Sequence, residues 1–223
     1  MFRENCPCDC VNSAWYSWLL CVNFVLSITT NFSQSKKLTN MARLTALNPD
    51  TASGKTKELF NAVQGKLGVV PNMMRTMGNS PALLNGYLQL SGALSGGSLG
   101  AKTGELLALA VAESNSCDYC LSAHTFIGAN LIKIDAQTLT SSREGNAADA
   151  KTQAILQFAK TLLSKNGHVT NEDVDAVKAA GLTDGEIGEA IGHVGLNILT
   201  NYFNNTAETE IDFPPVTAHA AIV

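Results

Sequence analysis

Apolar residues recur at helical spacing along most of this chain. In residues 55–68, Leu59, Phe60, Val63 and Leu67 form one stripe of a 3.6-residue helix, and Gly68 ends it. Val70-Pro71-Asn72 reads as a turn. Ser80-Pro81 opens a second helix with Ser at the N-cap and Pro at the first helical position. Its apolar face is Leu83, Leu84, Tyr87, Leu88 and Leu94, and Gly96-Gly97 breaks it. Residues 101–113 form a third helix, very apolar over Leu106 to Ala112, which predicts a central position. Ser114-Asn115-Ser116 is a break before a fourth helix over residues 117–131, and residues 134–140 read as a short fifth. Residues 147–165 form the next, with Ile155, Phe158, Ala159 and Leu162 on one face and Asn166-Gly167 as the stop. Thr170 and Thr183 each stand three residues before an acidic residue and open two more helices, ending at Gly181 and near Asn204. No run of any length alternates at period two, so the class is all-α, a bundle of about seven to eight helices.

Gly188, Gly192 and Gly195 repeat at i, i+4 and i+7 in the last helix. Glycine inside a helix costs about 1 kcal/mol relative to Ala, so close approach of another helix is expected there.

The first forty residues differ in character. Residues 11–28 are the most apolar run of the protein, between Arg3 and Lys36-Lys37, and a polar tract separates them from the helical region that begins after Met41. Three readings stay open. A secretory signal or short anchor is weakened by Asn12, Ser13, Ser17 and Asn23, and by acidic residues beside Arg3. A metal site at Cys6, Cys8 and Cys10 lacks a second ligand cluster nearby. A true start at Met41 would leave residues 1–40 outside the working protein. The expected division is therefore an extension over residues 1–40 and one domain over residues 41–223.

Composition sharpens that division. The chain has 223 residues, is 45% hydrophobic and 15% charged, and carries a formal charge of −4. It can bury a core, and with a pI near 5.5 it offers no basic surface for nucleic acid. Without Arg3, Glu4, Asp9, Lys36 and Lys37 the remaining domain has a charge of about −5, an ordinary acidic balance. Of the six cysteines only Cys117 and Cys120 remain in it, and no tryptophan. That is a redox domain of a reducing compartment rather than a disulfide scaffold, so a cytoplasmic location is expected.

Cys117-Asp-Tyr-Cys120-Leu-Ser-Ala-His124 carries the chemistry. On a helix, positions i, i+3 and i+7 point near 0°, roughly 300° and roughly 340°, so both thiols and the imidazole share a face. Two thiols three apart can close a disulfide at a helix start, where unpaired N–H groups favour the thiolate. His124, one turn beyond Cys120, can take the thiol proton or pair with the thiolate. The pattern is a redox dithiol with its own base. A buried structural cysteine pair and a zinc site completed by Glu105 or His193 are the alternatives. A c-type haem would need His where Leu121 stands, and a thioredoxin-type motif would need a β-α-β setting.

Glu105-Leu-Leu-Ala-Leu-Ala-Val-Ala together with this motif resembles the carboxymuconolactone decarboxylase/alkyl hydroperoxidase D (AhpD-like) superfamily. The shared pattern is Glu, eleven residues, Cys-x-x-Cys, three residues, His. The C-terminal Asn201-Tyr-Phe-Asn-Asn205 and Glu210-Ile-Asp-Phe-Pro214 resemble its peroxidase-related members, and the likeness spans about residues 41–216. The resemblance implies a thiol-dependent hydroperoxide reductase that forms a homo-oligomer, trimeric or hexameric. Cys120 would be the peroxidatic cysteine and Cys117 the resolving one. His124 and Glu105 would form a proton relay through water. No cofactor or metal would be bound, and an external dithiol, a lipoyl group in some relatives, would restore the thiols. Asp118-Tyr119 replaces a histidine that some members carry between the cysteines, which bears on the tuning of the relay. General dithiol–disulfide exchange or redox sensing is one alternative. A decarboxylase is the other, less favoured because the superfamily's lactone decarboxylases generally lack the dithiol. Glu113 would share the face of Cys117 only if the helix ran unbroken, so Glu105 is preferred. His168 reads as a loop residue, and His193 as a residue lining an interface or the site, neither with an assigned role.

Overall fold

The computed structural model describes residues 42–219, so the run at residues 11–28, the cysteines at Cys6, Cys8 and Cys10, and the whole extension 1–40 lie outside the described residues. Within them the class is all-α, as expected. Nine α-helices succeed one another: α1 Gly54–Leu67, α2 Asn72–Met77, α3 Pro81–Ser95, α4 Gly100–Ser114, α5 Asp118–Ile127, α6 Ala136–Arg143, α7 Ala150–Ser164, α8 Asn171–Ala179 and α9 Asp184–Ala207. No helix among the described residues is long and apolar enough to cross a membrane.

The helix α4 is the hub. Leu106 through Ala112 are all buried, and the helix packs against α3, α5, α6, α7 and α9. A helix apolar on every side can be stable only when neighbours cover every side. α1 and α2 pack on α3, and α8 packs on α7. The predicted caps hold: Ser80 accepts from the Leu83 amide, and Thr170 with Asp173 and Thr183 with Glu186 form full capping boxes.

Three observations depart from the sequence reading. Asn72, read as part of a turn, instead starts the extra helix α2 with Pro71 as its N-cap, and its amide donates to Asp212 Oδ2 at 2.7 Å. That acceptor lies far along the chain and leaves no local signal. The fourth helix is α-helical only to Ile127 and continues as a π-helical turn over Gly128–Ile132, closed by Lys133 in the left-handed region. The glycine stripe of α9 is only partly an approach site. A Cβ on Gly192 would stand 3.1 Å from Leu94 of α3, whereas Gly188 and Gly195 face open space among the described residues.

The turn between α4 and α5 sets up the site. Ser116 takes φ 49°, its amide donates to Glu113 O at 3.1 Å, and the Cys117 amide donates to Ala112 O at 2.9 Å. This is a Schellman closure with serine in place of the usual glycine. It ends α4 within one residue and delivers Cys117 as the N-cap of α5.

Residues 208–219 form a strap across α5 rather than a free tail. The Val216 amide donates to Ser122 Oγ at 2.9 Å, the Ala218 amide to Asp118 Oδ1 at 2.8 Å, and Arg143 to Thr217 O at 2.7 Å. Phe213 stacks edge-on against Tyr119, with ring centroids 5.9 Å apart, and tilts against Phe126 at 5.8 Å.

Candidate active site

Cys117 and Cys120 are joined as a disulfide with Cα atoms 5.3 Å apart. Their three-residue spacing closes because Cys117 is the N-cap, in extended backbone, rather than a helical residue. Its sulfur also accepts from the Cys120 amide at 3.4 Å. Both side chains are buried, Cys117 at 0% and Cys120 at 2% exposure.

Glu105 reaches over from the first half of α4. Its Oε2 lies 2.8 Å from Nδ1 of His124, in the last turn of α5, and both side chains are mostly buried. The two central helices thus hold a carboxylate–imidazole pair beside the dithiol. A carboxylate on Nδ1 fixes which ring nitrogen faces onward and supports the imidazolium when it forms.

A cavity of about 400 Å³ gathers these groups. Cys120, Glu105 and His124 line it, and Cys117 does not. Its walls are largely apolar and aromatic, with Met73, Tyr87, Tyr119, Phe126 and Phe213 prominent and no lysine or arginine. Tyr119 accepts from the Met73 amide at 3.1 Å, and burial holds its phenol well above the ordinary value. Burial likewise pushes Tyr87 up to about 12, so both phenols stay protonated near neutrality.

The sequence-predicted residues therefore converge: Cys117, Cys120, His124 and Glu105 form one constellation. Glu113 is elsewhere. It takes Arg143 at 2.7 Å and the His219 amide at 2.7 Å, anchoring the strap instead of facing the thiols. His168 is an exposed loop residue. His193 is buried and lines the same cavity. Among the described residues no three His, Cys, Asp or Glu side chains converge as a metal site.

Asn204 is a site residue that the sequence does not single out. Its Nδ2 donates to Cys120 Sγ at 3.3 Å and to Met73 Sδ at 3.2 Å. It stands within the Asn201–Asn205 segment, yet no spacing rule links it to a cysteine 84 positions earlier. Phe213 is another, because only the strap's path brings it to the cavity wall.

The arrangement provides a sulfur open to a small molecule, a partner sulfur sealed beneath it, and a proton carrier at hand. Cys120 stands in the first turn of α5 with the Asn204 amide on its sulfur, and His124 lines the same cavity. A helix N-terminus and an amide donor favour a thiolate, and burial opposes it.

Residues 81–130 match the model of the carboxymuconolactone decarboxylase family. No curated protein matches the chain. Several solved structures share its fold. An uncharacterized peroxidase-related protein with the alkylhydroperoxidase AhpD core, from Ralstonia eutropha JMP134, superposes with a TM-score of 0.69 at 22% identity, over 77% of this chain and 92% of that one. An uncharacterized peroxidase-related protein from Silicibacter sp. TM1040 gives 0.67 at 24% identity, over 80% of this chain and 95% of that one. The debrominase Bmp8 in complex with 2,3,4-tribromopyrrole gives 0.63 at 19% identity, over 76% and 91%. The matched segment contains Glu105, Cys117, Cys120 and His124, and the chain shares the AhpD-like fold of these structures.

Proposed function

We propose that the protein is a thiol-dependent hydroperoxide reductase. The observation that most supports this reading is the unequal access of the two sulfurs: Cys120 opens on the cavity that also holds Glu105 and His124, while Cys117 lies sealed behind it. The Cys120 thiolate attacks the terminal oxygen of ROOH. The O–O bond breaks, Cys120 becomes a sulfenic acid, and the alkoxide leaves as ROH with a proton supplied through His124. The Cys117 thiol then attacks the sulfenic sulfur, forming the disulfide and releasing water. An external dithiol returns two electrons and two protons, and is itself left as a disulfide.

Burial weighs against the alternative of general exchange with protein disulfides. A folded partner cannot bring its disulfide to sulfurs this enclosed, whereas a slender dithiol such as a lipoyl arm can enter by the cavity. Decarboxylation is redox-neutral and would leave the disulfide without a task.

Assembly belongs to the same reading. Ile191 and Tyr202 are about half exposed on α9 and border an apolar groove with Gly195 and Ile198. A second copy of the chain covering that face would account for the bare backbone at Gly195. We expect a trimer or hexamer by light scattering.

The test is steady-state consumption of cumene hydroperoxide with dihydrolipoamide or dithiothreitol as reductant. Turnover is expected, and Cys120→Ser is expected to abolish it. A Cys120→Ser protein with wild-type turnover would overturn the reading.

A further inference from the structure

The peroxide reaction makes no use of His193. The residue sits on α9 where that helix passes α4, with its ring against Gly104 so closely that a Cβ there would stand 3.0 Å from Cε1. Gly104 precedes Glu105, so the imidazole is a neighbour of the relay. His193 is 8% exposed, and its Nε2 has no hydrogen-bond partner among the described residues. It lines the cavity that Cys120 opens on.

Buried polar atoms in folded proteins are nearly always paired, because an orphan bears the cost of lost hydration. Such an exception calls for a reason, and a bound water, ion or ligand that completes the pairing is one. The side chain that carries this orphan nitrogen lines a space walled mostly by apolar side chains, which suits one polar anchor and an apolar body.

We propose that His193 is the substrate-anchoring residue of this cavity, its Nε2 hydrogen-bonding the oxygen function of a neutral organic hydroperoxide and of the alcohol that it becomes. The apolar body lies among Tyr119, Phe126 and Phe213. Charge on the substrate is disfavoured from both directions: no lysine or arginine lines the cavity, and the Glu105 carboxylate does. Burial also depresses the basicity of His193, more than Glu189 and Glu105 restore it, so the ring meets the ligand as neutral imidazole. Carboxylate-bearing lipid hydroperoxides are therefore excluded.

The choice of ligand rests on the peroxidase reading, but its test does not need turnover. The full chain in its disulfide form is titrated with 2-phenyl-2-propanol, with cumene, and with the para-carboxylate of the alcohol. Binding is read by calorimetry and by the ring ¹⁵N resonances of His193. The alcohol is expected to shift the Nε2 resonance, and cumene, the same body without oxygen, to leave it in place. The preference for alcohol over cumene is expected to fall about fivefold in His193→Phe and to be kept in His193→Gln. The carboxylate is expected not to compete. An Nε2 resonance that stands still with the alcohol bound would overturn the proposal, and so would an unchanged preference in His193→Phe, no binding of the alcohol, or equal binding of the carboxylate. Should His193→Phe fail to fold, the wild-type resonance alone decides. Binding without any peroxide turnover would leave the anchor standing and sink the enzymatic reading instead.

Discussion

The Asn204 amide nitrogen lies 3.3 Å from Sγ of Cys120, a hydrogen-bond donor from the last helix directed at the cysteine of the pair that lines the cavity. A donor at this distance stabilises a thiolate more than a thiol, because the charged acceptor makes the stronger bond. Replacing it with the similarly sized Asn204→Leu is expected to raise the pH midpoint of Cys120 alkylation in the reduced protein by about one unit, equivalent to about 1.4 kcal/mol. Iodoacetamide modification rates between pH 5 and pH 10 measure it. An unchanged midpoint would remove Asn204 from the account.

The Glu105–His124 pair makes a separate prediction. His124→Gln is expected to lower peroxide turnover by roughly 10²-fold or more, in the range of a lost general acid. Glu105→Gln keeps the ring in place with a weaker partner and should lose less. Both variants should still form the Cys117–Cys120 disulfide under an oxidant that needs no proton delivery, such as diamide. Stopped-flow rates with cumene hydroperoxide, beside thiol counts after diamide, separate chemistry from folding.

Ser116 holds a left-handed backbone, φ 49°, so that Cys117 can cap α5. For an L-residue that conformation costs about 1–2 kcal/mol, and more when the side chain is β-branched. Ser116→Val is expected to destabilise the fold by about 1 kcal/mol or more, and Ser116→Gly to leave it equal or slightly stabler. Urea denaturation of the three proteins tests the order, and a Val variant as stable as the Gly one would contradict it.

His193 also predicts a pH dependence of stability. Its basicity in the folded state is depressed, chiefly by burial, below the ordinary histidine value of about 6.5. The unfolded chain therefore takes up a proton first as the pH falls. The contribution of this neutral ring is complete above that value and is lost as the pH drops from there toward the folded-state pKa. His193→Gln removes the titrating group. Its stability should fall less than that of the wild type between pH 7 and pH 5 in denaturant titrations. Parallel pH curves would show that the ring is not held neutral.

Much of the fold was legible because the signals that specify it are local. Ser80, Thr170 and Thr183 announce their helices through caps that reach three residues, and Leu106 through Ala112 announce the hub by having no polar side. The core of the site was legible for the same reason. Cys117, Cys120 and His124 lie within two turns of one helix, and Glu105 was placed by its spacing in a resembled pattern. Features that depend on distant partners were not legible. α2 is capped by Asp212, Phe213 reaches the cavity through a strap held by Ser122, Asp118 and Arg143, and Asn204 meets Cys120 through packing of α9. The Gly188 and Gly195 positions misled because periodicity shows where a backbone is bare and not what approaches it.

The most direct test of the account is a single turnover of the reduced protein with one equivalent of cumene hydroperoxide, read by mass spectrometry with a sulfenic-acid trap. The wild type should lose both thiols, release one equivalent of 2-phenyl-2-propanol and show the Cys117–Cys120 disulfide. Cys117→Ser should make the same alcohol once and carry the trapped sulfenic acid on Cys120. Cys120→Ser should make none. Alcohol formed by Cys120→Ser at the wild-type rate, or a sulfenic acid trapped on Cys117 in the wild type, would contradict the assignment of Cys120 as the attacking sulfur.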